Sequence, residues 1–560
     1  MANKTQTIRI ESIFGGKSPL THFSQSDQFL DSINIDPARS IGIRNSGEPL
    51  DDLNIPESSG MIMPVVVQGL RNSSFIDQRP VFLVNNPKRG DVYAYGALGS
   101  VYVVYTDGSS SETAGALSDG GSMSGVGISG GGLACGAGYY DNYIYFAKNT
   151  TVARYGPLDG TPAFDGNFWA GTLGLTELTH DSNRIYYPID SLADSYPQHV
   201  MHRHNDGRLY IVDIVNGSGV LHYIETTKSS TEGDTNNGSK YNAIDFGFGL
   251  IPTAIESYGS DLVIALFESQ SDPGFSNGNR GQKARIAIWD TTSASMNFIT
   301  NNEFPDEFIS AMRNVNGTIF IASGQRLSRG TRISRYIGGY SFEEVLFVQE
   351  GHPPYPGALI SEAGRLIFGS KVIYSLGLNN RAVGNGIFKF QHTGAAYNDT
   401  SNTYSLLSYP LSDFATEAIL AGWEATIPGP SGTGVDIIGG GTSGTVSGYQ
   451  AHWYSQIYKV GSPFKITRIR VPLPEKLEAS VGISFSIYTD DGNTSYSLTA
   501  INSTNWGTNT SMLTFRPQNA VGDNNFFLAF TWTDTEKKPI GLPITIEYEL
   551  LDVDTAYQYA

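Results

Sequence analysis

Four histidines close together in the middle of the sequence are its clearest candidates for chemistry. His199, His202 and His204 precede an Asp206-Gly207 pair, and His222 lies on the apolar run that follows. Alternate residues of a strand share a face, so His202 and His204 would point the same way, as two ligands of a metal ion could. No carboxylate or cysteine stands at a recognisable ligand spacing beside them. We therefore interpret them as surface or channel-lining histidines and predict no metal site.

Two neighbouring patterns suggest cofactor or nucleophile chemistry. GVGISG, with Gly125, Gly127 and Gly130, matches the G-x-G-x-x-G pattern of dinucleotide-binding loops. That chemistry needs a helix N-terminus after the loop, whereas the sequence continues GGLACGAGYYDNYIYF. Cys135, within this continuation, has no catalytic signature around it and is interpreted as a small buried residue. We therefore expect no cofactor and no cysteine nucleophile.

Carboxylates and arginines give no catalytic constellation either. Asp490-Asp491-Gly492-Asn493 lacks the spacing and the later Glu of a calcium loop, so it predicts a hairpin turn. Four arginines lie close together, and a solvated strand edge explains them: Arg326, Arg329, Arg332 and Arg335. No G-x-S-x-G elbow or sialidase box is present, and no pair among the 54 acidic residues is singled out for glycoside hydrolysis. The sequence therefore predicts no catalytic residues and a protein that is not an enzyme.

The elements that would position these residues are short strands in repeated hairpins. Each unit has a mixed strand, a short polar or Gly-bearing turn, and a second, more apolar strand. Six stretches fit this pattern: 80–96, 131–148, 198–213, 251–267, 307–323 and 356–370. Their turns centre on Arg89-Gly90, Asp141-Asn142, Asp206-Gly207, Gly259-Ser260, Asn316-Gly317 and Ala363-Gly364. Asn-Gly and Asp-Gly favour type I′ turns, because both central residues must reach positive φ.

The spacing of the hairpins indicates a β-propeller. Successive turns are about 50 to 65 residues apart, which is typical of propeller blades. A third apolar run often follows within the unit, as in TVARYG (151–156) and GIFKFQ (386–391). The first strand is poorest in bulk, as in GGLACGAG, which fits a strand close to a central axis. We predict six blades, with seven as the alternative if ATEAILAGWEATI (415–427) adds strands to a further or closing blade.

Composition bounds the class of protein. The chain has 560 residues, of which 64 are Gly and only 16% are charged, and together with its many aromatics this indicates an all-β protein. A net charge of -18 disfavours specific nucleic-acid binding and anionic membrane surfaces. Cys135 is the only cysteine, so no intramolecular disulfide can form. The N-terminus has no apolar signal region, and no apolar run is long enough for a membrane span.

The flanks of the propeller differ from it in pattern. We predict an N-terminal extended arm or partial blade at 1–60, the propeller at 61–427 and a Gly/Ser-rich linker or loop at 428–448. The remainder, 449–560, shows strict alternation in several runs. Large residues alternate with small or polar ones in three of them: Ile483, Phe485 and Ile487; Phe526, Leu528, Phe530 and Trp532; and Ile544, Ile546, Tyr548 and Leu550. Period-two alternation predicts a C-terminal β-sandwich.

Several segments give the chain a resemblance to structural proteins of tailed bacteriophages. In the N-terminal part these are FGGKSP (14–19), SINIDPARSIG (32–42), SSGMIMPVV (58–66) and VNNPKRGDVYAYG (84–96). In the C-terminal part they are HWYSQIYKVGSPFKITRIRVPLP (452–474) and FSIYTDDG (485–492). The resemblance is to large propeller-bearing tail proteins. It implies a nozzle-like or tail-attached virion component, assembled in the host cytoplasm in several copies around the tail axis, with other tail or neck proteins as partners.

Two other function classes stay open at this point. The first is recognition of a host-surface glycan by the sandwich or a propeller face, with tryptophans stacking on sugars: Trp423, Trp453, Trp506 and Trp532. Trp532 also alternates like a core residue. The second is a glycan-cleaving propeller enzyme. Binding without cleavage of host polysaccharide would favour the first, and product release would favour the second.

Overall fold

The chain folds entirely into β-structure wherever it is described. A computed structural model describes residues 5–11, 16–17, 28–33, 35, 61–62, 67–70, 80–85, 92–96, 101–104, 136–148, 151–169, 199–215, 218–225, 240–268, 283–298, 304–305, 307–325, 331–338, 341–348, 359–362, 365–369, 373–377, 387–390, 405–410, 417–423, 434–438, 451–473, 483–490, 492–499, 512–532 and 540–551. These ranges contain strands and turns but no α-helix, so the predicted all-β class is confirmed. Accordingly, no helix within them is long and apolar enough to cross a membrane.

Five strands come first in the chain. They are β1 (Thr5–Ile10), β2 (Gly16–Lys17), β3 (Gln28–Ile33), β4 (Met61–Ile62) and β5 (Val67–Leu70). Apart from the parallel β2–β3 pair, their partners are strands from the C-terminal part of the chain. The N-terminal strands therefore complete sheets that are otherwise built at the far end of the sequence.

Seven antiparallel sheets follow, numbered here in chain order. Sheet 1 has β6 (Pro80–Asn85), β7 (Val92–Gly96) and β8 (Val101–Val104); sheet 2 has β9 (Gly136–Tyr140), β10 (Tyr143–Lys148), β11 (Thr151–Gly156) and β12 (Ala163–Trp169). Sheet 3 has β13 (Met201–Arg203), β14 (Leu209–Val215), β15 (Ser218–Ile224) and β16 (Lys240–Phe248). Sheet 4 has β17 (Leu250–Tyr258), β18 (Asp261–Glu268), β19 (Lys283–Trp289) and β20 (Asn297–Phe298), with β21 (Phe304–Pro305) also paired to β19.

Sheets 5 to 7 repeat the arrangement. Sheet 5 has β22 (Glu307–Val315), β23 (Thr318–Gln325), β24 (Thr331–Gly338) and β25 (Ser341–Val348). Sheet 6 has β26 (Leu359–Glu362), β27 (Arg365–Gly369), β28 (Ile373–Gly377) and β29 (Ile387–Phe390). Sheet 7 has β30 (Ser405–Pro410), β31 (Glu417–Trp423) and β32 (Gly434–Ile438), and its fourth strand is β5 from the N-terminal part.

All six sequence-predicted hairpins occur, as the first two strands of sheets 1 to 6. The structure adds a seventh such sheet, to which the 415–427 segment contributes β31. Two details differ from expectation. GIFKFQ forms the fourth strand of sheet 6 rather than the third, and β32 lies inside the segment interpreted as a linker, 428–448. The apolar GVDII of β32 is stabilised as a strand by β31 and β5 on its two sides, which Gly-rich surroundings do not reveal.

The hairpin turns follow the chemistry of their residues. Both central residues have positive φ at Asp141-Asn142 and at Asn316-Gly317, as type I′ turns require. At Gly259-Ser260 only the first residue has positive φ, as in a type II′ turn. The expectation of a type I′ turn at Asp206-Gly207 is wrong: only Gly207 has positive φ, and its N–H donates to the carbonyl of His204. The longer loop leaves Asp206 free to accept from the Arg208 N–H at 3.0 Å.

Apolar layers fill the spaces between consecutive sheets. In β14, Leu209 and Ile211 pack against sheet 2, whereas Tyr210 and Val212 pack against sheet 4. Both faces of this part of the strand are thus buried, so residues 209–212 (LYIV) form a continuous apolar run. Similar layers join sheet 4 to sheet 5 and sheet 5 to sheet 6. Each fully buried aliphatic side chain contributes about 1.5–3 kcal/mol to stability, so these layers are the main cohesion between sheets.

Contacts between the first strands of the sheets follow a regular sequence. β6 contacts β9, β9 contacts β13, β13 contacts β17, β17 contacts β22, β22 contacts β26 and β26 contacts β30. β30 in turn contacts β6, the first strand of sheet 1. The first strands therefore neighbour one another from sheet 1 through sheet 7 and back to sheet 1.

The C-terminal strands build two further sheets around one core. They are β33 (Ala451–Ser455), β34 (Tyr458–Lys459), β35 (Phe464–Pro472), β36 (Ile483–Thr489), β37 (Thr494–Leu498), β38 (Met512–Phe515), β39 (Val521–Gly522), β40 (Asn525–Trp532), β41 (Ile540–Gly541) and β42 (Ile544–Leu550). Sheet 8 has the order β1-β42-β35-β38, with β39 on β35, and sheet 9 has the order β2-β3-β33-β40-β36-β37, with β34 on β40. A separate short pair joins β4 to β41.

The alternation predicted for this region is present in β36 and β42, whereas every residue of β40 except Thr531 is buried. Phe485, Phe530 and Trp532 of sheet 9 and Ile546 of sheet 8 are buried in a single cluster, while Ser484 between the inward residues is exposed. Leu550 at the end of β42 is only partly buried. The large residues of both sheets thus point inward at each other, and sheets 8 and 9 are called the two-sheet unit below.

Within residues 1–60, interpreted from the sequence as an arm or partial blade, the described strands β1 and β3 pair with C-terminal strands. β1 pairs with β42 over its whole length, from Thr5 opposite Glu549 to Ile10 opposite Ile544. β3 pairs with β33, and Phe29 is fully buried in the core of the two-sheet unit. These strands therefore complete sheets 8 and 9, because Ile10 and Phe29 supply apolar surface that this core buries.

The two-sheet unit also packs on the sheets that precede it. Phe267 of sheet 4 and Ile360 and Ile367 of sheet 6 belong to the same buried cluster as the core of that unit. β29 of sheet 6 in addition contacts β2 and β3. The unit is thus joined to the rest of the chain by buried apolar surface as well as by its connections.

Candidate functional site

Sheets 3, 4 and 5 carry a group of polar side chains on neighbouring first strands. His202 lies on β13 and His204 directly after it; Glu256 and Ser257 lie just before the end of β17; Arg313 and Asn314 lie just before the end of β22. We call these six residues the first-strand cluster. It is the part of the described chain in which histidine, carboxylate, hydroxyl and guanidinium groups from three sheets meet.

The strand geometry explains why the two histidines meet sheet 4. His202 lies opposite Tyr210 in the β13–β14 ladder, and Tyr210 packs against sheet 4. Two residues on, His204 is on the same side, and the loop that it begins is closed by Gly207. The prediction that His202 and His204 share a face is confirmed, because both rings contact the hydroxyl of Ser257.

The directions of the hydrogen bonds around Ser257 follow from one carbonyl. His204 Nε2 lies 3.0 Å from the backbone oxygen of Ser260, which can only accept. In the neutral ring the hydrogen is therefore on Nε2, and Nδ1 accepts from the Ser257 hydroxyl at 2.9 Å. The Ser257 Oγ then accepts from His202 Nε2–H at 2.7 Å. The result is a directed chain from His202 through Ser257 and His204 to a backbone carbonyl.

Charged groups surround the hydrogen bonds that join His202, Ser257 and His204. The Glu256 carboxylate accepts the Ser257 N–H at 3.0 Å and lies 3.9 Å from both His202 Nε2 and Arg313 Nη1. Asn314 Nδ2 donates to the Ser257 carbonyl at 2.8 Å. Burial lowers the pKa of His202, an effect that Glu256 opposes and Arg313 reinforces. His202 is therefore neutral at pH 7, which fits the donor and acceptor assignment above.

This arrangement joins sheets 3 and 4 through side-chain hydrogen bonds. The hydroxyl of Ser257 accepts from His202 and donates to His204, and His204 in turn donates to the Ser260 carbonyl, so these three side chains are bonded within the cluster. Among the described side chains, no three His, Cys, Asp or Glu residues are arranged to hold a metal ion.

A second polar cluster lies on the opposite face of sheet 3, which packs against sheet 2. The Asp213 carboxylate is 3.0 Å from His222 Nε2 and 3.4 Å from His199 Nδ1, and His199 Nδ1 also lies 3.1 Å from the Val212 carbonyl. All three side chains are fully buried. The interpretation of His199 and His222 as surface or channel-lining residues is therefore wrong. Both rings are buried beside the Asp213 carboxylate, and a hydrogen-bond donor at this place lowers the free-energy cost of burying the carboxylate.

Comparison with known proteins adds similarity of shape but no family. No protein-family model and no curated protein matches the chain. The β-propeller domain of Myceliophteria thermophila Cps50 (Swd1) is 10% identical over 65% of this chain and 96% of that chain, with a TM-score of 0.34. The N-terminal domain of Nup159 is 10% identical over 69% and 96%, with a TM-score of 0.30. An exo-β-1,3-galactanase from Phanerochaete chrysosporium, crystallised with galactose, is 8% identical over 65% and 99%, with a TM-score of 0.27. Similarity at this level identifies neither a family nor an activity.

The other residues singled out in the sequence do not join either cluster. Arg332 and Arg335 form cross-strand ion pairs with Glu344 and Glu343 at the outer edge of sheet 5, as a solvated strand edge predicts. Asp490 lies in the β36–β37 hairpin turn, where its carboxylate accepts backbone N–H groups from residues 523 and 524. Gly125, Gly127, Gly130, Cys135, Arg326, Arg329 and Trp506 lie outside the described residues.

Two of the four tryptophans considered for sugar stacking are buried. Trp453 and Trp532 are 1% and 0% exposed in the core of the two-sheet unit, so the expectation that they contact glycan is wrong. The core-like alternation of Trp532 is confirmed. Trp423 lies on β31. The sequence missed the partners of the histidines, Ser257, Glu256 and Arg313, because they lie one and two sheets further along the chain.

Replacing Ser257 with alanine should lower the free energy of unfolding by about 1–3 kcal/mol, because two buried imidazoles lose a hydrogen-bond partner. Urea unfolding followed by fluorescence measures this. Ser260→Ala is the matched control: its hydroxyl is exposed and its backbone carbonyl stays, so a change within about 0.5 kcal/mol is expected. Equal effects of the two substitutions would contradict the assigned hydrogen-bond chain.

His222 should make stability depend on pH. Burial of the ring, with a smaller effect from His199, lowers the pKa of His222 to about 3. An unfolded histidine titrates near 6.5, so the unfolded chain binds more protons below that pH; the stability is present above about pH 6.5 and is lost as the pH falls towards 3. Between about pH 7.5 and about pH 5 the expected loss is about 2 kcal/mol.

His222→Gln tests this, because the amide keeps an N–H for Asp213 but does not titrate. Urea unfolding of both proteins at the two pH values gives the comparison. The wild type should lose about 2 kcal/mol more than the variant on acidification. An identical pH dependence of the two proteins would show that the ring does not carry the effect.

Proposed function

We propose that this chain is a non-catalytic structural subunit of a phage tail. In this proposal the seven sheets form a seven-bladed β-propeller and the two-sheet unit is a β-sandwich that carries it. The subunit would assemble in several copies around the tail axis, in contact with other tail or neck proteins of the virion. Assembly would take place in the host cytoplasm.

The propeller is supported by the order of contacts between first strands. They succeed one another from β6 to β30, and β30 contacts β6 again. Small residues allow the close approach this needs: a Cβ at Gly136 of β9 would lie 1.7 Å from the His199 carbonyl oxygen of sheet 3. β5 supplies the outer strand of sheet 7, so a segment from before sheet 1 completes the last sheet. Joining the first and last blades in this way closes a propeller ring.

The sandwich is supported by the shared core of sheets 8 and 9. Phe464 and Ile546 of sheet 8 and Phe526 and Phe530 of sheet 9 are fully buried in one cluster. The ring centroids of Phe464 and Phe526 are 5.4 Å apart, so side chains from the two sheets interdigitate.

The observation that carries the structural role is the pairing of strands from distant parts of the sequence. β1 lies against β42, and β3 lies against β33, so N-terminal and C-terminal strands share sheets. The core that they close continues into Phe267 and Ile360 of the preceding sheets. Sheets that share strands in this way and are joined by buried apolar surface keep their surfaces in fixed relation, as repeated subunit contacts require.

The chemistry of the first-strand cluster agrees with a non-catalytic role. Its hydroxyl and both imidazoles are engaged with one another, and the chain of hydrogen bonds ends on a backbone carbonyl. The assignment to a phage tail itself rests on the resemblance of segments such as SINIDPARSIG (32–42) and HWYSQIYKVGSPFKITRIRVPLP (452–474).

Co-expression with the products of the neighbouring genes tests the proposal. The chain should purify with at least one of them as a ring of several copies, which cryo-EM of the complex would reveal. The chain expressed alone is the control for self-assembly. A chain that stays monomeric with every neighbour, or that releases sugars from host polysaccharide, would overturn the structural role.

A further inference from the structure

The outward side of sheet 9 carries a group of aromatic rings that the structural role does not use. Trp453 on β33, Phe485 on β36 and Phe530 on β40 point into the core. The residues next to them along each strand therefore point to the opposite side of the sheet. Four of these outward residues have rings: His452, Tyr454, Tyr488 and Phe527. We call these four residues the aromatic face.

The rings of the aromatic face lie side by side. Tyr488 and Phe527 are stacked, with centroids 4.8 Å apart and planes inclined by only 3°. Tyr454 is 6.1 Å from Phe527, and His452 stacks on Tyr454 at 4.6 Å and 20°. Together they form a continuous row of rings across three strands. Phe527 is the most covered of them, at 8% exposure, whereas Tyr454 and Tyr488 are only partly buried.

Small residues lie beside these rings. Ala529 lies opposite Tyr454 on β33 and opposite Ser486 on β36, and Thr531 lies opposite His452 and Ser484. Ala529 is only 3% exposed, whereas Ser484 is exposed to solvent, so this side of the sheet is accessible at Ser484.

Polar groups border the aromatic face. Asp31 Oδ2 lies 3.3 Å from His452 Nε2, and the two side chains are 30% and 23% exposed. Burial raises the pKa of Tyr454, and Tyr488 and Asp31 add to the rise, so the Tyr454 hydroxyl stays a neutral donor. A carboxylate, an imidazole and a phenol can therefore meet a ligand that has several hydroxyl groups.

We propose that the aromatic face and its bordering polar groups bind a neutral glycan. The C–H side of a pyranose ring packs on the electron-rich face of an aromatic side chain, and its hydroxyls bond to acceptors and donors at the edge. A sugar ring would pack on the partly exposed rings of Tyr454 and Tyr488. A net charge of -18 disfavours acidic sugars, so hexoses and N-acetylhexosamines are the expected class.

The chemistry of the surface favours a glycan over a protein strand or a second copy of the chain. Every position that borders the rings is polar or very small, as at Ser484, Ser486 and Thr531. A protein interface of useful size would need a broader apolar centre than this row of rings provides. Glycan binding here would not depend on the role in a tail and would be compatible with it.

Binding to a microarray of neutral hexose and N-acetylhexosamine oligosaccharides tests the proposal with the full chain. Tyr488→Ala should weaken binding to the recognised glycans about tenfold, because it removes one stacking ring. Phe248→Ala is the matched control, since Phe248 is 66% exposed and lies on sheet 3, which shares no strand with sheet 9. Unfolding temperatures of both variants show whether they are folded.

A second pair of variants covers the case in which Tyr488→Ala fails to fold. Ser484→Arg puts a long side chain at an exposed position beside the aromatic face and should abolish binding. Ser341→Arg, on the exposed edge strand of sheet 5, should not change it. No binding by the wild-type chain to any of these glycans would overturn the proposal. Binding that is equal in Ser484→Arg and Ser341→Arg would also overturn it.

Discussion

Replacing Asp213 with alanine should lower the free energy of unfolding by about 3 kcal/mol, the upper end of the cost of leaving a buried hydrogen-bond donor without its acceptor. The fully buried carboxylate accepts from His222 Nε2 at 3.0 Å, whereas His199 Nδ1 lies 3.4 Å from it and 3.1 Å from the Val212 carbonyl. Removing Asp213 takes this acceptor away from the His222 ring, in a place where water cannot replace it. Urea unfolding followed by tryptophan fluorescence would measure the loss.

A charge-matched control separates this effect from a general change in net charge. Asp523 lies in an exposed turn of the two-sheet unit, so Asp523→Ala removes the same charge without exposing a buried polar group. Its expected effect is within about 0.5 kcal/mol. A loss below about 1 kcal/mol for Asp213→Ala would contradict the role assigned to the buried carboxylate.

A triple substitution tests the physical cause. If the loss arises from an imidazole left without its acceptor, removing the imidazoles as well should restore much of the stability. His199→Leu and His222→Leu combined with Asp213→Val should therefore be more stable than Asp213→Ala alone, since replacing both partners of a buried hydrogen bond by apolar groups of similar shape can be nearly neutral. A triple variant less stable than the single one would instead indicate that the shape of these side chains is what matters.

Local signals in the sequence predicted local structure well. The alternation of Ile483, Phe485 and Ile487 predicted an inward and an outward side, and the buried and exposed positions follow it. Asp141-Asn142 and Asn316-Gly317 predicted tight hairpins because these residue types tolerate positive φ, which both turns use. In each case the residues that carry the signal are also the residues that form the structure.

Pairings between distant segments could not be predicted in this way. β1 with β42, β3 with β33 and β5 with β32 join the N-terminal part of the chain to its C-terminal part. A strand's own residues specify that it needs a partner but not which one, so the sequence alone suggests an arm or partial blade at 1–60 and a linker or loop at 428–448. The same limit applies to the first-strand cluster, in which His202 meets Ser257 only because sheets 3 and 4 pack together.

The closest approach between sheets gives the second large expected effect. An alanine at Gly136 would place its Cβ 1.7 Å from the backbone carbonyl oxygen of His199, far inside van der Waals contact. The obstacle is backbone of sheet 3, so no side chain can rotate to make room. Gly136→Ala should therefore lower the free energy of unfolding by about 3 kcal/mol, at the upper end of the cost of overpacking.

Gly219 provides an independent second case at the next junction. Its added Cβ would lie 2.1 Å from the Leu250 carbonyl oxygen of sheet 4, so Gly219→Ala should have an effect of similar size. Two junctions that respond alike would indicate that close backbone approach is a general property of how these sheets pack.

Gly160→Ala is the control, because the same methyl group there meets nothing closer than 3.6 Å and the residue is exposed. Its expected effect is within about 0.5 kcal/mol. Gly136 needs no left-handed backbone conformation, so the difference between the two variants reports steric fit between sheets 2 and 3 and not backbone strain. If Gly136→Ala were as stable as Gly160→Ala, sheets 2 and 3 would have to lie further apart than the contact between β9 and β13 requires, and a ring of closely packed first strands would lose its support.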